Sequence, residues 1–184
     1  MMQALDIRRR VLGDAHRDTL YSMNVLAGLY LAQHQYVKAG SLYAKALEES
    51  RRSLGDEHPL TLHDQLSLGR VRLALRKDGG AETTLREALK KFDKVDSGNW
   101  ERFNCQSLLG ASLARQKKFA EAEPLLLSGY EGMTRREEEI PAKDRSAVGD
   151  AGDRIVELYQ NWGYPSKASE WRAKLARTGS APRQ

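Results

Sequence analysis

The chain has few of the residues that commit a sequence to covalent or membrane architecture. A single cysteine, Cys105, stands among 184 residues. An internal disulfide framework is therefore excluded, and a lone cysteine inside a helical pattern reads as a small buried residue. No apolar run approaches the ~20 residues of a membrane-spanning helix. The start is amphipathic and carries Arg8-Arg9-Arg10 where a signal peptide would carry an apolar core. We expect a cytoplasmic chain. Excess charge of one sign is missing too. There are 30 basic and 25 acidic residues, divided 16 to 12 up to Val95 and 14 to 13 after it. Nucleic-acid binding through Arg8–Arg10, Arg51-Arg52 and Arg70/Arg72/Arg76 is disfavoured by that balance. No nucleophile elbow, Gly-rich phosphate loop, His-Arg-Asp or Asp-Phe-Gly occurs. The expectation is no enzyme and no cofactor.

The four histidines do not make a metal site. His58 and His63 are five apart, whereas one helix would present zinc with an i, i+4 pair. His16 and His58 occupy one repeated position, which argues for a structural task such as capping a helix end. The acidic runs Glu48-Glu49 and Glu137–Glu139 read as solvated faces.

What is present is repetition. Ala4-Leu5 returns as Ala46-Leu47, Leu12-Gly13-Asp14 as Leu54-Gly55-Asp56, His16 as His58, and Thr19-Leu20 as Thr61-Leu62. A fixed offset of 42 marks a stacked repeat architecture. The set Leu26, Ala27, Tyr30, Ala39, Tyr43, Ala46 recurs with identical intervals as Leu68, Gly69, Arg72, Ala81, Leu85, Ala88. It recurs again as Leu109, Gly110, Leu113, Ala122, Leu126, Gly129, and in part as Ile155, Val156, Tyr159, Ala168. Small residues suit close helix crossings, and large ones a turn away fill the space between hairpins. These positions are the expected core.

The pattern predicts an all-α, right-handed superhelical solenoid of antiparallel helical hairpins, a single domain over 1–177. A partial repeat covers 1–17, and repeats follow at about 18–59, 60–96, 97–142 and 143–177, with a flexible tail at 178–184. Helices are expected over Thr19–Gln33 and Val37–Ser53, Thr61–Arg76 and Ala81–Val95, Ser97–Lys117 and Ala120–Arg136, and Lys143–Trp162 and Ser166–Arg177. Seven are expected to be regular repeat helices, with irregular ends. Asp18 and Ser97 are the expected N-caps. Asp78-Gly79-Gly80 is the expected turn of the second hairpin. Met1 to Leu12 matches only the end of a second helix. This suggests the C-terminal piece of a longer protein, with a weak homodimer through residues 1–12.

The intervals resemble the tetratricopeptide pattern Leu-Gly-x-x-Tyr … Ala-x-x-x-Phe. The connector Arg51-Arg52-Ser53-Leu54-Gly55-Asp56-Glu57-His58-Pro59 and the run Ser22-Met23-Asn24-Val25-Leu26-Ala27-Gly28-Leu29-Tyr30 resemble the kinesin-light-chain type of that repeat. The segments Phe119–Leu126 and Asn161–Leu175 look like the C-terminal repeats of large bacterial serine/threonine protein kinases. The resemblance implies a protein-interaction scaffold, the binding segment of a larger bacterial signalling protein, and no kinase activity in this piece.

One stripe on each first helix is the candidate groove. From Leu26 it runs Tyr21, Asn24, Gly28, Leu31, and from Leu68 it runs His63, Leu66, Arg70, Leu73. From Leu109 it runs Asn104, Ser107, Ala111, Ala114, and from Ile155 Asp150, Asp153, Glu157, Gln160. The spacing of 3, 4 and 3 places each set on one helical face. In the kinesin-light-chain type the position of Asn24 is similar to one that binds peptide backbone. A protein or peptide ligand is the expected partner.

Overall fold

A computed structural model describes residues 2–177; the expected tail at 178–184 lies outside the described residues. The described chain is helical throughout, and two compact units divide it, Met1–Val95 and Asp96–Gln184. Unit 1 contains α1 (Met2–Leu12), α2 (Arg17–Ala32), α3 (Tyr36–Leu54), α4 (Pro59–Ala74) and α5 (Asp78–Val95). Unit 2 contains α6 (Trp100–Arg115), α7 (Phe119–Thr134), α8 (Ser146–Trp162) and α9 (Pro165–Arg177). Two short 3₁₀ turns, Glu137–Glu139 and Ala142–Asp144, join α7 to α8.

Among the described residues, eight helices pair into four hairpins after α1, matching the eight expected spans, where seven were expected to be regular. The last of them, α9, expected over Ser166–Arg177, is a regular helix held by buried Ala168 and Leu175. Leu175 is fully buried, and a Cβ on Gly152 would collide with its Cδ2. The small-residue crossings are as the pattern requires: Ala39, Ala81, Ala122 and Ala168 are all fully buried. Tyr30 and Arg72, at the aromatic position of the pattern, are only half-buried. Cys105 is buried.

Local chemistry sets two N-caps differently from the expectation, and both repeated histidines cap a helix. The N-cap of α2 is His16, not Asp18; its Nδ1 accepts from the Asp18 N–H at 3.2 Å, and Asp18 lies in the first turn. His58 caps α4 identically, accepting from the Leu60 N–H at 3.2 Å. Asn99, not Ser97, caps α6, with Oδ1 accepting from the Glu101 N–H at 2.8 Å. Each cap satisfies one of the amides that a helix start leaves without an intrahelical partner.

The second hairpin turns before Asp78-Gly79-Gly80, which form the first turn of α5. Arg76 takes the left-handed conformation there, at φ 59°, and His34 and Lys117 do the same in the first and third hairpins. Only the fourth uses glycine, Gly163 at φ 85°. The turn is closed by backbone bonds, Arg76 N–H to Leu73 O and Lys77 N–H to Arg72 O. Those bonds offset the steric cost of about 1 kcal/mol that a non-glycine residue carries in this region. Ile140, between the two 3₁₀ turns, is buried to 1%. It anchors a connection that the sequence pattern leaves without a core residue.

Candidate functional site

The repeated connector is a latch. Gly13 and Gly55 stand at φ 86° and 92°, ending α1 and α3. The aspartate that follows turns back onto two cations. Asp14 meets Arg9 of α1 at 3.0 Å and Lys45 of α3 at 2.7 Å. Asp56 meets Arg51 at 3.0 Å and Lys91 of α5 at 2.7 Å. Both carboxyls are held below their ordinary value of 3.8, chiefly by the hydrogen bonds from Lys45 and Lys91, against the opposing effect of burial. The folded chain therefore needs more acid than the unfolded chain to protonate them. Their contribution is whole above the ordinary aspartate value and is lost as pH falls through the depressed folded value. These pairs are largely solvated, so the two latches together are expected to contribute within about 1 kcal/mol. Urea titrations of unit 1 through the acid range should show stability falling, with the slope reduced in Asp14→Asn/Asp56→Asn. An unaltered slope in that variant would assign the acid sensitivity elsewhere.

Arg51, Arg52 and Arg72 are also engaged. Arg52 pairs with Glu49, and Arg72 donates to the Gly80 carbonyl and the Thr84 hydroxyl. With Arg9 on Asp14 and Arg8 donating to the Ser22 hydroxyl, five of the eight arginines singled out for nucleic acid are committed within unit 1.

The first-helix stripe is more buried than a solvated groove would be. In unit 1, Tyr21 is 61% exposed and Arg70 is exposed, making no ion pair within the described residues. His63 is half-buried, while Leu31 and Leu66 are buried. Leu31 packs with Ala27, Ala39, Tyr43, Leu68 and Val71, in a cluster drawn from α2, α3 and α4. The first helix is covered by its hairpin mate and by the following hairpin, so only part of its stripe reaches water. Asn24 is the exception in kind. It is 8% exposed, and neither its amide oxygen nor its amide nitrogen has a hydrogen-bond partner. Buried amides are nearly always bonded, because stripping one of water costs about 1–3 kcal/mol. One repeat later the same position is Leu66.

In unit 2 the stripe divides by helix. Asn104 and Ser107 on α6 are buried, and the Ser107 hydroxyl accepts from Arg154 of α8 at 3.0 Å. Asp150 and Glu157 on α8 are exposed and Asp153 is half-buried. Burial raises the Asp153 carboxyl, the neighbouring Asp150 charge adds to it, and Arg154 opposes. Behind this acidic face lies a knot that sequence reasoning missed. The Tyr159 hydroxyl donates to Glu123 at 2.6 Å, and Lys167 reaches the same carboxylate at 3.3 Å while lying over the Tyr159 ring. It joins α7, α8 and α9 through residues too far apart in sequence, 36 and 44 positions, for a local motif to show. Burial and the Glu123 contact raise the Tyr159 phenol.

No helix among the described residues is long and apolar enough to cross a membrane. No curated protein matches the chain. Residues 24–94 match the model of the tetratricopeptide repeat family. Repeats of this kind stack into extended binding surfaces for other proteins. Among solved structures, the chain is similar to nearly identical TPR-like repeats assigned to a kinesin light chain of Podosopora anserina. The identity is 22%, over 96% of this chain and 84% of that one, with a TM-score of 0.70. A single-substitution variant of those repeats aligns at 23% identity over 98% and 85%, with a TM-score of 0.73. BtubC (BKLC) from P. vanneervenii aligns at 21% over 100% and 74%, also with a TM-score of 0.73. At these identities the likeness is one of fold, and the fold is that of kinesin-light-chain-like tetratricopeptide repeats.

Proposed function

We propose that the chain is a protein-interaction module and that the first-helix face of unit 1 binds an extended peptide or partner helix around Asn24. The observation that supports this is the buried amide with neither of its polar atoms bonded. A peptide backbone offers one donor and one acceptor, the complement of an asparagine side chain. Tyr21 and Arg70, exposed on the same stripe pattern, supply an aromatic contact and an unengaged cation.

The test pairs stability with binding. Asn24→Ala and Arg70→Glu should each weaken partner binding by about 1–2 kcal/mol with helical content unchanged. Asn24→Leu, which installs the residue of the next repeat, should abolish binding and leave stability equal or higher, since an unbonded buried amide is replaced by an apolar group. Calorimetric titration and urea unfolding read both arms. Unchanged affinity in all three variants rejects this face as the site. The resemblance of unit 2 to kinase-tail repeats supports reading the module as the binding segment of a larger signalling protein, and sequencing the gene on both sides checks that.

A second reading rests on α1. Leu5 is buried, while Ile7 and Val11, one turn apart, are 55% and 74% exposed. We propose a weak homodimer through residues 1–12. Light scattering over a wide concentration range should show association that Ile7→Lys/Val11→Lys removes. A strict monomer at every concentration rejects it.

A further inference from the structure

Unit 1 contains the same slot twice, between consecutive second helices, and the two copies are built from opposite chemistry. The first lies between α1 and α3 over α2; the second lies between α3 and α5 over α4. At the offset of 42, Tyr30 and Leu42 in the first become Arg72 and Thr84 in the second, and Met2 and Val37 become Ala44 and Gly79. The second slot is polar: Arg51, Glu87 and Lys91 line what stays open between α3 and α5. Arg72 runs from the α4 floor to the α5 wall, donating to the Gly80 carbonyl at 3.2 Å and to the Thr84 hydroxyl. In the first, the Tyr30 hydroxyl donates to the Met2 sulfur at 3.5 Å, and no charged side chain among the described residues spans the floor. A cavity of about 430 Å³ remains, floored by Leu26 and Tyr30 and walled by Met2 and Val37. Met2 is 60% and Val37 71% exposed, so both walls present apolar side chains to water. A soluble surface rarely keeps such a patch unless something covers it.

The rim is charged unevenly. Asp14 is shared by Arg9 and Lys45. Lys38 has only the Tyr30 ring beneath it, at 5.5 Å. With Asp6, three cations stand against two carboxylates. Two helix walls over an apolar floor have the shape that receives a third helix, and a methionine wall adapts to what enters.

We propose that the slot between α1 and α3 seats an amphipathic helix of a partner protein, its apolar stripe inserted between the walls and its acidic flank laid on Lys38 and Lys45. The site lies on the second-helix face and is independent of Asn24 and Arg70.

The test uses the full chain and two labelled synthetic helical peptides. Both carry a leucine stripe at helical spacing, one flanked by glutamates and the other by lysines. Fluorescence anisotropy should show the glutamate peptide binding at least about tenfold more tightly than the lysine peptide. Val37→Glu and Lys38→Glu, both at exposed positions, should each weaken it by about tenfold. Tyr30→Arg/Leu42→Thr, which transplants the polar Arg72–Thr84 pair of the second slot into the apolar floor, should abolish it, with circular dichroism confirming the fold. Arg70→Glu should leave it unchanged. Three results would overturn the proposal: no binding of the glutamate peptide, equal binding of both peptides, or indifference to Val37→Glu and Lys38→Glu. A fourth would assign the slot to a second copy of the chain: self-association without peptide that Val37→Glu removes.

Discussion

Gly129→Ala is expected to destabilise unit 2 by about 3 kcal/mol, although the repeat pattern makes it look harmless. Its counterparts one and two repeats earlier are Ala88 and Ala46, both fully buried. By pattern the change merely restores the repeat. The structure says otherwise. A Cβ at Gly129 would stand 2.7 Å from the Phe103 carbonyl oxygen and 2.8 Å from the Ser107 nitrogen. Both are backbone atoms of α6, so no side chain can swing aside, and the two helices must separate. Close-packed interiors do not absorb that cheaply. Gly79→Ala is the control. Nothing lies within 4 Å of its Cβ, in the first turn of α5, and alanine should stabilise by up to about 1 kcal/mol through helix propensity. Urea unfolding gives the magnitudes. Hydrogen exchange should place the Gly129→Ala loss in α6 and α7. A neutral Gly129→Ala would mean that the pattern, and not the close approach, decides this position.

A second large effect is expected from Leu85, and it should shrink when a second residue is changed. Leu85 is fully buried, and its branched end fills the space above Gly69. Leu85→Ala should cost about 3–4 kcal/mol through lost transfer energy and the cavity left behind. Gly69→Ala alone should also destabilise. Its Cβ would meet Leu85 Cδ2 at 2.5 Å and Cγ at 2.7 Å, and its three nearest neighbours are all Leu85 side-chain atoms. Removing those atoms removes the obstacle. The double variant should therefore be more stable than Leu85→Ala by about 1 kcal/mol, from the returned methyl group and better helix propensity. Strictly additive costs in urea unfolding would show that the two positions do not share one space.

Much of this architecture was legible in the residues, and the reason is periodicity. Ala39, Ala81, Ala122 and Ala168 repeat because every hairpin crosses at the same place, and all four are fully buried. The structural reading of His16 and His58 follows from the same logic, and both are helix caps. Turns were harder. A glycine pair at 79–80 outweighs Arg76 in any sequence reading, yet Arg76 supplies the left-handed residue, because backbone bonds and not intrinsic preference hold it there. The candidate face was legible in its spacing and not in its exposure. Periodicity places Asn24, Leu31, Leu66 and Ser107 on one side of their helices, but a first helix packs against more than one neighbour, and all four are buried. That Asn24 would be left without a hydrogen-bond partner depends on what its neighbours fail to offer, and no single-residue rule carries that. The Tyr159–Glu123–Lys167 knot depends on three helices meeting.

The aspartate latches differ in one detail. Lys45 closes the first from α3, and its counterpart one repeat later is Glu87; the second is closed by Lys91, one helical turn further along α5. Positions four apart share a helix face, so a lysine at either can reach the same carboxylate. This makes the latch robust to sequence drift. A lineage can gain the second lysine before losing the first and never pass through an open connector. It also suits duplication: a chain grown by copying residues 17–58 would carry the lysine of position 45 into position 87, and Asp56 would find it there.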